Sequence, residues 1–174
     1  MAATGSLLST ILGAIRENRQ ERRQEREFRR NKALHDLYAI FKHSLEARYI
    51  ISKGDTTELY QRIRSLRPER ILELGSGSGC ATAVMALALP AEGRIVSMEQ
   101  WERCLVLSKR LIPSKLQEKI KFVFSPPAVF EDERVPFMRF ADYRDLPLAE
   151  GPFEFVLVDG TGDWQEQGNI FKLP

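Results

Sequence analysis

The seven residues Glu73–Gly79 (ELGSGSG) form the stretch of this chain with the clearest chemical meaning. They follow a short apolar segment, Arg70–Leu74, and precede a run of small residues that begins at Cys80. Glycine allows positive φ and lets a ligand approach the backbone. The N-terminus of a following helix presents unpaired N–H groups. The pattern therefore predicts a ligand-binding turn between a strand and a helix.

The spacing of Gly75, Gly77 and Gly79 narrows the class of ligand. A P-loop is excluded because no Gly-Lys-Ser/Thr follows the glycines. The dinucleotide fingerprint GxGxxG places its third glycine one residue later than this sequence does. The spacing thus favours a ligand without a pyrophosphate and disfavours an NAD-linked oxidoreductase.

Two acidic residues are predicted at the same edge of a sheet as this turn. Glu99 ends a second apolar strand, and a carboxylate there can accept both hydroxyls of a ribose. Asp159 follows the apolar run FEFVLV, beside the first strand in the usual doubly wound order. The alternatives are a solvated strand-end acid for Glu99 and an ordinary Asp-Gly turn for Asp159. Together with the glycine turn, we favour a binding site.

Strand and helix patterns alternate from residue 55 onward, which predicts parallel βαβ units. Segment 125–136 is rich in proline and charge and is predicted to be irregular, with a short strand at Phe137–Phe140. Helices are predicted over 55–66, 80–89 and 102–111. The main predicted strands are Arg70–Leu74, Arg94–Met98, Ile120–Phe124 and Phe153–Val158.

Residues 1–50 are predicted to form an N-terminal helical arm, followed by a domain over 51–174. Within the arm, residues 16–32 hold eight Arg/Lys against four Glu, and Phe28 is their only large apolar side chain. Residues 33–50 carry an amphipathic stripe that can dock on a core. Residues 1–32 could contact an anionic membrane surface or RNA. A solvent-exposed or self-associating helix is the favoured interpretation.

Composition excludes several other classes of protein. The chain has 174 residues, a net charge of +2, two cysteines and two histidines. This length suits one domain, and two cysteines are too few for a disulfide scaffold or a zinc cluster. No apolar run approaches the roughly 18–20 residues that span a bilayer. We therefore expect a protein of the reducing cytoplasm.

Three segments, RILELGSGSG, RIVSMEQ and FEFVLVDG, resemble in this order the motifs of class I S-adenosylmethionine-dependent methyltransferases. The nearest variety is the small-molecule O-methyltransferase-like group, and the resemblance covers about residues 50–162. It implies an α/β, Rossmann-like, doubly wound and mostly parallel sheet with helices on both faces. The family's sheet has seven strands and this chain supplies about four, so we expect an incomplete, C-terminally short domain.

The resemblance also implies roles for individual residues around S-adenosylmethionine. Glu99 would hold the ribose hydroxyls, Gln100 would lie beside the adenine, and Asp159 would lie near the reactive methyl group. Ser125 is the favoured residue of the adenine loop, with Ala141-Asp142 as the alternative. The methionine part and ribose would be cradled by Glu73, Gly75, Ser76, Gly77 and Gly79.

The activity implied is methyl transfer to a small-molecule acceptor, at an oxygen atom. No catalytic base is identified, and Asp159 with Asp163 does not make a metal site without a third ligand. The alternative is a catalytically incomplete cofactor-binding module or half-enzyme. A second copy or a partner chain would then complete the sheet.

Overall fold

Four parallel strands form the central sheet of the computed structural model, which describes Arg19 and residues 21–44, 50–131, 139–143 and 145–159. The strands are β1 (Arg70–Leu74), β2 (Arg94–Glu99), β3 (Ile120–Phe124) and β6 (Phe155–Val158). Their order in the sheet is β3-β2-β1-β6, and every pairing is parallel. The predicted fold class is confirmed, as is the position of the last strand beside the first.

Helices precede and connect these strands. They are α1 (residues 21–30), α2 (Lys32–Lys42), α3 (Lys53–Leu66), α4 (Cys80–Ala88), α5 (Glu102–Leu111) and the single turn α6 (Ser114–Gln117). A 3-10 turn, Leu148–Glu150, precedes β6. Helix α3 starts before the predicted Asp55 because Ser52 caps it, accepting a hydrogen bond from the Asp55 N–H at 3.1 Å.

The N-terminal helices pack against α4. Phe28 of α1 is 2% exposed, and it shares one apolar cluster with Leu34 and Phe41 of α2 and with Val84 of α4. The amphipathic stripe predicted for this region therefore docks on the core. The domain boundary predicted at residue 50 stays a prediction.

A separate hairpin follows β3, formed by β4 (Pro127–Glu131) and the antiparallel β5 (Arg139–Tyr143). The prediction of irregular structure over 125–136 is wrong for β4. The short strand predicted at Phe137–Phe140 overlaps β5 at residues 139 and 140, and the rest of both predictions, over 132–138, lies outside the described residues. Proline is tolerated at the first residue of a strand, which is where Pro127 stands. Tyr143 is 3% exposed and packs in the cluster that contains Leu72 and Met98, which fixes the hairpin to the sheet.

Helices α4 and α5 approach each other closely at Gly79, the residue that caps α4. A Cβ atom at this position would lie 2.6 Å from the Cβ of Ser108 and 3.0 Å from its Cα. Such distances are too short for a side chain, so glycine is required for helix packing as well as for its φ of +88°.

Candidate functional site

The carboxyl ends of the strands are held together by backbone hydrogen bonds that continue past the sheet. The Gly75 N–H donates to the Met98 carbonyl, the Asp159 N–H to the Leu74 carbonyl, and the Ser125 N–H to the Glu99 carbonyl, each at 2.9 Å. The structure thus brings the glycine turn, Glu99, Ser125 and Asp159 to one edge of the sheet.

The glycine turn has the backbone that its sequence predicts. Gly75, Gly77 and Gly79 adopt φ values of +98°, +53° and +88°. Residues with a Cβ atom rarely adopt positive φ, so the turn from β1 into α4 depends on these three glycines. The N–H of Gly79 does not point out of the turn, because it donates to the Ser76 carbonyl at 2.7 Å.

Glu99 ties this turn to the end of β2. One carboxylate oxygen, Oε2, accepts from the Ser76 N–H and Oγ, each at 3.0 Å, and from the Gly77 N–H at 2.8 Å. The other oxygen accepts from the N–H groups of Gln100 at 2.8 Å and Trp101 at 2.9 Å. The side chain is buried, and five donors meet its hydrogen-bonding capacity.

Glu73 lies in β1 and is fully buried. Its Oε2 accepts from the Thr82 hydroxyl of α4 at 2.6 Å and from the Ser97 hydroxyl of β2. Its Oε1 has no hydrogen-bond partner among the described residues. Burial raises the pKa of Glu73 to about 7, against the ordinary 4.5, and the two hydroxyls offset part of that rise. The site therefore holds a carboxyl group with one unused acceptor.

Thr82 and Ser97 were not predicted as site residues. Each is a polar residue inside an otherwise apolar element, the helix CATAVMALA and the strand RIVSME. That interruption is the sequence signal that identifies them, because a buried hydroxyl needs a buried partner.

Gln100 and Ser125 complete the edge beside Glu99. Both are buried, and the Nε2 of Gln100 has no hydrogen-bond partner in the described part of the chain. The alternative adenine-loop residues, Ala141-Asp142, lie in β5 of the hairpin.

Asp159 and Cys80 lie near Glu73. Asp159 is exposed at the end of β6, and partial loss of water, together with the charge of Asp55, raises the pKa of its carboxyl. Cys80 is buried, and burial raises the pKa of its thiol to about 12. A thiol that stays protonated is a poor nucleophile, so Cys80 has a packing role.

Two other features concern only the described residues. No three His, Cys, Asp or Glu side chains there are grouped so that they could hold a metal ion, and Asp163 lies outside that part. None of the described helices combines the length and the apolar character that a membrane crossing needs.

The parallel sheet and the glycine turn at its carboxyl edge are those of a class I methyltransferase fold, as predicted. The family model of protein-L-isoaspartate(D-aspartate) O-methyltransferase (PCMT) matches residues 21–141, which is more than half of the chain. The chain belongs to this family.

Solved structures with the same fold include proteins with bound SAM, SAH or cofactor. Three examples follow. The O-methyltransferase from Bacillus cereus in complex with SAH has 16% identity and a TM-score of 0.52, covering 75% of this chain and 55% of that one. TomG from Streptomyces achromogenes, in complex with SAM and involved in tomaymycin synthesis, has 22% identity and a TM-score of 0.52, with coverage of 75% and 54%. The cofactor-bound Rv0187 from MTB has 20% identity and a TM-score of 0.53, with coverage of 74% and 53%.

The chain spans about half the length of these structures. None of the curated proteins compared with the chain matches it.

Proposed function

We propose that this chain binds S-adenosylmethionine at the carboxyl edge of its sheet and transfers the methyl group to an oxygen atom of a small-molecule acceptor. The choice of oxygen is supported by the name of the family model and by those of two structural neighbours, all described as O-methyltransferases. The observation that carries the proposal is the buried Glu73 with its unused Oε1.

The residues at this edge fit the cofactor. An unpaired buried acceptor costs free energy unless a donor reaches it, and the ammonium group of the cofactor's methionine part is such a donor. The unpartnered Nε2 of Gln100 likewise suits an acceptor atom such as an adenine nitrogen. The three positive-φ glycines of the turn carry no Cβ atom, so a ligand can approach the backbone there.

S-adenosylmethionine would supply a methyl group already activated on a sulfonium sulfur. The chain's own task is then to bind, orient and exclude water. Glu73 would hold the methionine ammonium, while Glu99 and the backbone of Gly75, Ser76, Gly77 and Gly79 would surround the remainder of that part and the ribose. Gln100 and Ser125 would flank the adenine, and Asp159 would face the methyl group.

Glu99 has a double task in this proposal. Its carboxylate already accepts five hydrogen bonds from the turn and from the start of the α5 segment. Ribose hydroxyls must therefore share or replace some of those donors. Glu99 would shape the turn before the cofactor arrives and bind the ribose afterwards.

The test is calorimetric titration of the chain with S-adenosylmethionine and S-adenosylhomocysteine. We expect saturable binding near one site per chain, and at least a tenfold loss of affinity in Glu73→Gln. Glu92→Gln removes an exposed acid from the turn before β2, at the opposite edge, and should bind like the unmodified chain. A folded chain without saturable binding, or a Glu73→Gln variant with unchanged affinity, contradicts the proposal.

The acceptor has a second candidate, favoured by the family model: the carboxyl oxygen of an isoaspartyl residue. Methyl transfer from labelled S-adenosylmethionine to an isoaspartyl peptide and to small phenols and hydroxy acids separates the two. If only the peptide is labelled, the acceptor is an isoaspartyl residue and not a small molecule. Cofactor binding with no labelling of either acceptor favours the incomplete-module alternative.

A further inference from the structure

Helix α1 concentrates arginine on one side. Five arginines of α1 fall within about one third of the helix circumference, at 100° per residue. We call this surface the arginine face. Phe28 points to the opposite side, where it packs edge-on against Tyr38 with ring centroids 5.3 Å apart. The core therefore fixes the helix with its arginine face outward. The arginine face consists of Arg22, Arg23, Arg26, Arg29 and Arg30.

Three of these side chains form no salt bridge with a described acidic residue. Arg23 and Arg29 form exposed salt bridges with acids of the same helix, each at 3.0 Å. Arg22, Arg26 and Arg30 form none with any described acidic side chain, and all three are exposed. Their spacing of four residues places them along one ridge about 12 Å long. The ridge is a row of guanidinium groups without a salt bridge to the described acids.

A groove beside the ridge extends this basic surface. It lies between α1 and α3, has a volume of about 620 Å³, and is lined in part by Arg19, Arg23 and Arg62. Two glutamates also line it, Glu27 and Glu58. Glu27 is already engaged by Arg23 and by the side-chain amide of Gln61. The groove thus adds one cationic group, Arg62, from a second helix.

We propose that the arginine face binds the phosphate backbone of a double-stranded nucleic acid. The guanidinium group is a planar fork that matches the geometry of phosphate oxygens. Duplex DNA carries one charge per about 1.7 Å of axis with both strands counted, so a length equal to that of the ridge holds about seven phosphate charges, and the ridge faces those on its own side. Contacts to the backbone alone bind without reading base sequence.

Two other polyanionic partners fit the surface less well. A helix that lies on a membrane needs an exposed apolar side, but Phe28 of α1 is 2% exposed and belongs to the core. Proteins that bind single strands stack bases on aromatic side chains, and the arginine face has none. A rigid cationic ridge suits a regular duplex.

The test is fluorescence anisotropy of labelled 20-base-pair RNA and DNA duplexes, titrated with the full chain at several salt concentrations. The variant is the triple change Arg22→Gln, Arg26→Gln and Arg30→Gln, which removes exposed charges at positions where glutamine also favours helix. We expect its log–log salt slope to fall by about three and its affinity at 0.1 M salt to fall at least tenfold.

The matched control removes the same charge elsewhere, by Arg64→Gln, Arg110→Gln and Lys115→Gln, all exposed positions. It should bind like the unmodified chain, and circular dichroism should show both triple variants folded. The proposal would be overturned if the control variant weakened binding equally or if the chain did not bind duplexes. It would also be overturned if the chain bound more tightly to a single strand, to phosphatidylserine vesicles or to polyglutamate than to a duplex. No cofactor is present in this assay, so its failure leaves the methyltransferase proposal untouched.

Discussion

Strands β1 and β2 each bury one glutamate near the same edge of the sheet, but the two carboxyl groups differ in the number and kind of hydrogen bonds that they accept. Glu99 accepts five hydrogen bonds, four of them from backbone N–H groups of the adjoining turns. Glu73 accepts two, both on one oxygen and both from hydroxyl groups. Burial is nearly equal, so it does not explain the difference.

The difference separates a residue that organises the turn from one that keeps an acceptor oxygen without a partner among the described residues. The backbone donors around Glu99 need its carboxylate oxygens as acceptors in order to form the turn. The hydroxyls around Glu73 leave one oxygen without a partner in the described part of the chain, and burial makes the ionised form of Glu73 costly, because it raises the pKa of this carboxyl. Removing each carboxylate should therefore change stability in opposite directions.

The largest effect is expected for Glu99→Ala. It leaves the N–H groups of Ser76, Gly77, Gln100 and Trp101 without their acceptor and should lower the free energy of unfolding by about 3 kcal/mol. Urea denaturation measures this change. Glu102→Ala, at an exposed acid in the first turn of α5, should cost under about 1 kcal/mol. Similar losses in the two variants would mean that Glu99 does not organise the turn.

Glu73→Gln should change the free energy of unfolding in the opposite direction, raising it at alkaline pH. As the pH rises from 4.5 to 7 the unfolded chain ionises its glutamate first, because the folded pKa is the higher one, about 7. The unmodified chain therefore loses about 3 kcal/mol of stability across this window, and a residue that cannot ionise escapes the loss.

Urea denaturation at pH 4.5 and pH 8 checks this expectation. The carboxamide introduced by Glu73→Gln keeps one oxygen for Thr82 and Ser97, so the two proteins should be similarly stable at pH 4.5. At pH 8 the variant should be the more stable by about 3 kcal/mol. A stability difference that does not change between the two pH values would contradict a buried, weakly acidic Glu73.

Gln100→Met should have the smallest effect on stability. The Nε2 group of Gln100 is buried without a partner among the described residues, so an apolar side chain of similar length should raise the free energy of unfolding by no more than about 1 kcal/mol. Affinity for S-adenosylhomocysteine should fall by about three- to tenfold if the amide serves the adenine. Thermal melts and calorimetry measure both. A clear loss of stability would show that the amide already has a structural partner.

Most of the sheet could be predicted because its strands are continuous apolar runs with sharp ends. Strands β1 and β3 have the predicted bounds, and β2 extends one residue further because Glu99 pairs with Phe124. Strand β6 starts at Phe155, two residues later than predicted, although the Glu154 N–H already donates to the Arg70 carbonyl at 3.0 Å. The β4 strand escaped prediction because its first residue, a proline, is typical of a loop.

The candidate site could be predicted as a set of positions but not as a set of hydrogen bonds. Glycine spacing and strand ends indicate which residues share an edge. They do not indicate that Glu99 is saturated while Glu73 is not, because that depends on side chains from α4 and β2 meeting in space. For Gly79 the sequence indicates a ligand role, and the structure adds a packing requirement against Ser108 that the sequence did not indicate.

Position 79 is closed to sequence change by its neighbours on α5, although they lie far apart from it along the chain. An alanine at 79 would need the volume that the Cβ of Ser108 occupies, 2.6 Å away. A glycine at 108 would remove that contact, but the Ser108 Cα at 3.0 Å, the Ile112 Cδ1 at 2.9 Å and the φ of +88° would remain. Evolutionary drift and random mutagenesis therefore have no route to another residue at 79 through a change at 108.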